Sequence, residues 1–461
     1  MTFSSDQLRV AMRALGPSSA SGLARHLGVS TPTVTAALVR LGDEVLATGR
    51  GRASRYALRR DVGRSGSHWP LFRITPDGRP ERLGELHALQ GERQCWFLRA
   101  DRPLPLYMHG DFAHGFYDDL PWFLMTLRPQ GYLGREFVRL FAEVLDAPDD
   151  LKHWQADDIL LSLLRHNLNG ISDLVLGEHA LQDALMLNEF PGITLEQRPM
   201  IYPKSAESAD KHGPPGSSAA GEQPKFMAGL SHDDGTLEET IVKFARLDPD
   251  NAAARRWGNL LLCEEHALRV LGEHDIASAR TEILDVDDWR FLQSTRFDRT
   301  QQGGRIGMIP LDALDAAYGG GPGAPWLRSA TELHRQGFID VADLEHIRLL
   351  DAFGQLIGNT DMHGGNLSFF TDLDTHVVRL APVYDMLPMH YRPNEGGSVR
   401  DEPFNLPMPD LAAPEIWSRA TMLAIEFWRR TGEDTRIGEN FRKLCIDNIG
   451  RIDDWRARYR I

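Results

Sequence analysis

The segment Gly358-Asn359-Thr360-Asp361-Met362-His363-Gly364-Gly365-Asn366 holds the residues best suited to chemistry. It follows an apolar helical stripe (Leu344, Ile347, Leu350, Phe353, Ile357), so it begins as a loop. Leu367–Phe370 then reads as a strand, Thr371–Asp374 as a turn and His376–Leu380 as the return strand, leading to Ala381-Pro382-Val383-Tyr384-Asp385. With the hairpin centred near Leu373, Asp385 lies roughly opposite Asp361. Two carboxylates and an amide oxygen then converge at one end of the hairpin. Mg²⁺ takes hard oxygen ligands and usually keeps some water and substrate phosphate. Asn366 and Asp385 would supply the protein ligands, leaving Asp361 to accept the proton of an attacking hydroxyl. A loop Asp five residues before a metal-binding Asn, with a second metal-binding Asp further on, is the division of labour in phosphoryl-transfer sites of the kinase kind. Without Asp385 the segment would read as well as a polar loop of turn formers. His363 is placed either to orient this loop by hydrogen bonding or to touch the nucleotide directly.

Such a site needs a lysine on a strand to meet the nucleotide phosphates. Thr240-Ile241-Val242-Lys243-Phe244 offers one Lys among apolar neighbours. Taken alone it is an ordinary strand with a solvent-facing Lys. Beside the Asp361 segment, Lys243 becomes the expected contact to the α and β phosphates. A helical Glu should pair with it, and Glu264 and Glu265 are both available. No G-x-G-x-x-G precedes Lys243. Its place is taken by Ser217-Ser218-Ala219-Ala220-Gly221-Glu222-Gln223-Pro224-Lys225, where small residues beside Gly could bring backbone N–H groups to phosphate.

The elements that must position these groups lie in a chain of 461 residues, of which 42% are hydrophobic and 25% charged. Those proportions fit a globular protein and exclude fibrous and wholly disordered ones. No stretch approaches an uninterrupted membrane-length apolar run, and Met1–Asp6 lacks a secretory signal pattern. Cys95, Cys263 and Cys445 lie too far apart in sequence to suggest a metal pair or a disulfide framework. A cytoplasmic protein is expected.

Charge divides the chain. The net charge is −14, yet the first 60 residues hold nine Arg against Asp6, Asp43 and Glu44, a local balance of +6. Leu8, Met12 and Leu15 mark one helix there, Leu23 and Leu27 a second, and Val34, Leu38 and Leu41 a third capped by Ser30. Val45–Ala47 and Arg55–Leu58 then read as strands around a basic tip. Three helices and a hairpin resemble the winged helix-turn-helix, whose third helix enters the DNA major groove. Thr31, Thr33, Thr35 and Arg40 would face DNA from that helix, and Arg50, Arg52 and Arg55 would meet phosphates or the minor groove from the wing. The other reading is a protein-docking module with a solvated Arg face.

Residues 62–68 read as a linker. Leu71–Ile74 with the turn Pro76-Asp77-Gly78 starts a hairpin, and Asp157–Asn167 and Glu178–Met186 read as helices. Residues 203–224, rich in Ser, Ala, Gly, Pro and charge, read as a mobile loop. A helix over about Asn251–Leu271, a buried strand Trp289–Ser294, then Arg296-Phe297-Asp298-Arg299 and a mostly helical remainder complete the chain.

Taken together, the pieces over residues 218–385 resemble the HipA-type serine/threonine kinases, toxins of bacterial toxin–antitoxin pairs. Ser218–Lys225 resembles that family's S-x-x-G-x-Q-x-K loop, Thr240–Phe244 its lysine strand, Arg296–Arg299 its R-F-D-R motif, Asn359–Asn366 its catalytic loop and Ala381–Asp385 its metal-binding segment. The amino-terminal helix-turn-helix is similar to a YjjJ-like branch, in place of reliance on a separate DNA-binding antitoxin. The resemblance implies an α+β, two-lobed kinase-like fold, with an N-terminal lobe over 69–295 and a C-terminal lobe over 296–461, behind a winged helix-turn-helix over 1–61. It implies ATP and Mg²⁺ as cofactors, Asp361 as general base, Asn366 and Asp385 as metal ligands, and Lys243 as the ATP lysine. Adenine contacts are expected near Thr295–Phe297, a ribose contact at Asp298 and autophosphorylation at Ser218. A cellular protein, such as one serving translation, is the expected substrate, with DNA and an antitoxin as further partners and no membrane. A small-molecule phosphotransferase and a transcription regulator that only senses nucleotide are the competing readings.

Overall fold

A computed structural model of the chain describes residues 3–91, 95–109, 115–166, 170–186, 192–211, 223–318, 321, 323–394 and 396–461. Three helices open it: α1 (Ser5–Leu15), α2 (Ala20–Leu27) and α3 (Thr31–Leu41). Each starts where a serine oxygen can accept a backbone N–H: Ser4 from Gln7, Ser19 from Gly22 and Ser30 from Thr33. Leu8, Met12, Leu23, Val34 and Leu38 form their common core. The antiparallel hairpin β1 (Val45–Thr48) and β2 (Arg55–Leu58) closes the module, with Thr48 opposite Arg55.

This module does not hang on a free linker. Leu46 and Ala57 of the hairpin pack against Leu89, Cys95 and Phe97 of the next sheet. Arg60 grips Asp157 through two hydrogen bonds of 2.5 and 2.8 Å and lies 5.3 Å from the Trp96 ring centroid. The expected linker 62–68 is irregular up to Ser67, with Val62 buried in the main core and His68 already opening a strand.

The next sheet is antiparallel: β3 (His68–Ile74), β4 (Pro80–Leu89), β5 (Cys95–Ala100), β6 (Phe116–Tyr117) and β7 (Leu174–Leu176), in the order β6-β5-β4-β3-β7. With it go the helices α4 (Leu106–His109), α5 (Trp122–Met125), α6 (Gly131–Leu145), α7 (Ala156–His166) and α8 (Glu178–Met186). Then comes α9 (Arg198–Lys211), which overturns the first part of the expected loop 203–224. Tyr202 and Ala206, one helical turn apart, are fully buried against Val242, Phe244 and Phe291, and that anchorage outweighs the polar composition and Pro203. The rest of that expected loop, from 212 to 222, lies outside the described residues.

A second antiparallel sheet holds β8 (Lys225–Ser231), β9 (Leu237–Arg246), β10 (Thr281–Val286) and β11 (Trp289–Thr295) in the order β10-β11-β9-β8. The helix α10 (Ala252–Glu273), capped by Asn251, packs against β9, β10 and β11. A small sheet of β12 (Gly307–Pro310), β13 (Ser368–Thr371) and β14 (Arg379–Leu380) follows, with α11 (Leu311–Tyr318), α12 (Trp326–Arg335), α13 (Val341–Leu356), α14 (Pro414–Glu433) and α15 (Glu439–Tyr459). These strands pair antiparallel, with helices packed against the sheets, as in an α+β chain. Among the described residues no helix is long and apolar enough to cross a membrane.

Where the module meets the first sheet, His87 is fully buried. It stacks on His68 at 5.6 Å, with Arg59 Nη1 3.4 Å from its Nδ1 and Glu85 Oε2 3.1 Å from its Nε2. Burial, and then the charges of Arg59, Arg99 and His68, push its pKa down to about 3. The unfolded ring titrates near 6.5. Above that pH both states are neutral; below it the unfolded chain gains a proton that the folded chain refuses. Stability should therefore fall as pH drops from about 6.5 towards 4, by at most about 1.4 kcal/mol per pH unit from this group. Urea unfolding of the wild type and His87→Gln across that range checks it. The variant should show the shallower slope, and equal slopes would mean that His87 does not set it.

Candidate active site

Along β9 the side chains alternate. Val242 and Phe244 enter the core with Tyr202 and Phe291, while Ile241 and Lys243 face a cleft of about 880 Å³. There the Lys243 ammonium lies 2.6 Å from both carboxylate oxygens of Glu264 on α10, and it also donates to Asp385 Oδ1. The choice between the two helical glutamates is settled by geometry. Glu264 faces the strand, while Glu265 pairs with Arg269 and sits 3.3 Å from His266. Burial works against the charge on Lys243, but Asp385 and Glu264 outweigh it and raise the pKa. Burial likewise works against ionised Asp385, and Lys243 and Lys225 overcome it, holding the carboxyl down at about 2. Burial raises Glu264.

The loop after α13 is pinned through its backbone. Gly358 turns the chain at φ +73°, where a Cβ would meet the Phe404 ring at 2.9 Å. Asn359 Oδ1 accepts from Asp361 N at 3.0 Å, and Asp361 O accepts from His363 N at 3.0 Å and from Asn366 Nδ2 at 2.9 Å. Among the described residues none hydrogen-bonds the Asp361 carboxylate, so the main chain is fixed while the acid is left open to the cleft. The donating Nδ2 of Asn366 leaves its Oδ1 as the atom available to a cation. Tyr384 OH donates to Gly365 O at 2.7 Å, and Trp326 Nε1 to His363 O at 2.7 Å, tying the loop to the Asp385 segment and to α12. The hairpin pairs Phe369 with Leu380, and Asp385 adopts φ +54°, a left-handed conformation that Asp tolerates better than most residues.

Lys243, Thr295, Phe297, Asp298, Asp361, His363, Asn366 and Asp385 all line this one cleft. Thr295 ends β11, its hydroxyl bound to Glu238 at 2.9 Å, and Phe297 packs on Phe370 and Tyr384. His363 is exposed, and its Nδ1 accepts from Gly365 N at 3.1 Å, which favours loop orientation. Asp298 is buried, and Arg296 (2.9 and 2.7 Å) and Arg299 (2.8 Å) donate to its two oxygens, so it braces two guanidiniums at the cleft wall. Ser218 lies outside the described residues.

The residues expected to meet DNA sit apart, on the amino-terminal module. Thr31, Thr35, Arg40, Arg50, Arg52 and Arg55 are exposed. Thr33 is half-buried with its hydroxyl 2.7 Å from Ser30 Oγ, and Thr35 donates to Thr31 O, so both also serve the helix.

Sequence reasoning missed Asp312. It lines the cleft from the first turn of α11, with its backbone against Gly364, where a Cβ would come within 2.8 Å of Asp312 N. Its approach depends on β12 pairing with β13, which sets Ile309 opposite Phe369, a non-local pairing that no local pattern announces. Also missed were Leu133 and Phe137 of α6, which line the same cleft.

Two family models match the chain: "YjjJ-like toxin, middle domain" over residues 65–185 and "HipA-like C-terminal domain" over residues 217–443. Toxin YjjJ of Escherichia coli strain K12 is 33% identical over 447 residues, covering 96% of this chain and 97% of that protein. Among solved structures, HipA of the Shewanella oneidensis MR-1 HipA, HipB and operator DNA complex superposes with a TM-score of 0.52 at 15% identity, over 83% of this chain and 97% of that one. The latter likeness speaks for the fold, while the length and identity of the former carry the assignment: the chain belongs to the family of YjjJ-like toxins, with a HipA-like C-terminal domain.

Proposed function

We propose that the chain is an ATP- and Mg²⁺-dependent kinase that transfers the γ-phosphate to a serine or threonine of a cellular protein. On this reading it is the toxin of a toxin–antitoxin system, and its two lobes, 69–295 and 296–461, enclose the cleft. The observation that carries it is the buried Lys243–Glu264–Asp385 cluster facing the same cleft as Asp361 and Asn366. The donor set suits the nucleotide: Gln223 Nε2 is buried with no hydrogen-bond partner among the described residues, in the cleft that Lys225 and Lys243 also line. Among the described residues no three His, Cys, Asp or Glu gather into a metal cage, so Asn366 and Asp385 would hold a Mg²⁺ completed by phosphate and water. That ion would offset charge on the phosphate oxygens.

Lys243, held by Glu264, meets the α and β phosphates. Asp361 takes the proton of the substrate hydroxyl as its oxygen bonds to the γ-phosphorus and the bond to the β–γ bridging oxygen breaks, releasing ADP. The winged module, with its +6 balance, binds DNA through Arg50, Arg52 and Arg55, and the chain acts in the cytoplasm. Ser218 is the proposed site of self-modification.

Incubation with labelled ATP and Mg²⁺, alone and with cell extract, tests the transfer. Asp361→Asn should lose about 10²–10⁴-fold in labelling of protein while still binding ATP. Equal labelling would refute the role of Asp361, and label on a small molecule alone would favour a different phosphotransferase. A second variant probes the loop's support: a Cβ on Gly354 would lie 2.5 Å from Met362 Sδ, next to Asp361. Gly354→Ala should displace the Met362 side chain and lower turnover in the fraction that remains folded; unchanged turnover would show that Met362 moves without the loop. For the module, replacing Arg50, Arg52 and Arg55 by Ala should flatten the slope of log affinity against log salt by roughly 0.9 for each phosphate no longer neutralised. An unaltered slope in gel-shift titrations would take those arginines away from DNA.

A further inference from the structure

The region matched by the YjjJ-like middle domain contributes none of the acids or the lysine assigned above, yet it grips the segment that follows β11. Its β3–β4 turn, Thr75–Arg79, meets the turn Thr300–Arg305. Thr75 O accepts from Arg305 N at 3.2 Å and Pro76 O from Thr300 Oγ1 at 2.7 Å. The approach leaves no room for side chains. A Cβ on Gly304 would lie 2.1 Å from Pro76 O, and one on Gly78, at φ +81°, 2.8 Å from Gln302 O. A second grip comes from Gly170, whose carbonyl accepts from Arg296 Nη2 at 2.9 Å and Arg299 Nη2 at 2.6 Å. These two guanidiniums clamp Asp298, and Asp298 O accepts from Ile306 N at 3.1 Å. The stretch 295–298 is thus held from both ends, and it includes Thr295 and Phe297 on the cleft wall.

We propose that the Thr75–Arg79 turn and the Gly170 carbonyl are positioning elements for the nucleotide hinge at 295–297, so that the middle domain sets nucleotide affinity without touching the reacting atoms. The proposal rests on the reading of the cleft as a nucleotide site. Ordering a short segment in advance lowers the conformational entropy lost on binding. Releasing one end of it should weaken binding without removing any group from the cleft.

Thr300→Val removes the hydrogen bond to Pro76 O and the one accepted from Gly304 N, and Gly304→Ala forces the two turns apart. In the full chain, hydrogen exchange at the Arg296 and Ile306 amides, bound to Glu239 O and Asp298 O, reads the clamp with no nucleotide present. Titration with a fluorescent ATP analogue and Mg²⁺ reads the site. The expected result is exchange faster by roughly tenfold and an analogue Kd raised roughly five- to tenfold, with kcat at saturating ATP changed less than KM. The milder Thr300→Val should move both readouts in the same direction by less, and it keeps the test decisive should Gly304→Ala fail to fold. Unchanged exchange in a folded variant overturns the clamp. Faster exchange with unchanged Kd overturns the positioning role. A wild-type chain that binds no analogue overturns the nucleotide reading, and the hinge role with it, whatever the exchange shows.

Discussion

A single ammonium group, withdrawn from water, organises the site. Lys243 is surrounded by the apolar strand residues that bury it, and such a charge is tolerated only when paired and hydrogen-bonded. Glu264 and Asp385 meet that need from two different parts of the chain, one from α10 and one from the segment after β14. The pairing thereby joins the second sheet to the helical remainder and brings Asp385 to the cleft. Removing Lys243 would leave two buried carboxylates without their counter-charge, so the cluster binds the two parts as well as facing the cleft.

Around that cluster the backbone does most of the positioning. The Asp361 loop is held by its own carbonyl and amide groups, by Asn359, and by Tyr384 and Trp326 from outside. The carboxylate itself stays unengaged among the described residues, which suits the proton-accepting role proposed for it. The middle-domain turn and the arginines of Arg296–Arg299 then fix the opposite wall. The amino-terminal module is docked on the same first sheet through Leu46, Ala57 and Arg60, so it travels with the body and not on a tether.

Much of this was legible in the sequence because its signals are local. Apolar residues at helical spacing mark the first three helices, a single Lys among apolar neighbours marks the strand Thr240–Phe244, and the hairpin after Asn366 sets Asp385 opposite Asp361. What stayed hidden depends on distant partners. Glu264 and Glu265 are adjacent, and only the packing of α10 decides which one faces Lys243. That Arg296 and Arg299 both close onto Asp298 shows only once the chain is folded. The helix α9 reads as a loop because its few buried residues, Tyr202 and Ala206, find their partners on β9 and β11. Asp312 reaches the cleft only through the β12–β13 pairing.

On the proposed reading, the Lys243 ammonium and the Asp385 carboxylate hold each other until a magnesium nucleotide takes them both. A crystal structure of the chain with a non-hydrolysable ATP analogue and Mg²⁺ is the decisive experiment. Phosphate oxygens are expected on Lys243, with Glu264 still beside it, and Asp385 turned with Asn366 to the metal. Nucleotide bound elsewhere, or an intact Lys243–Asp385 pair with no metal at Asn366, would refute that exchange of partners.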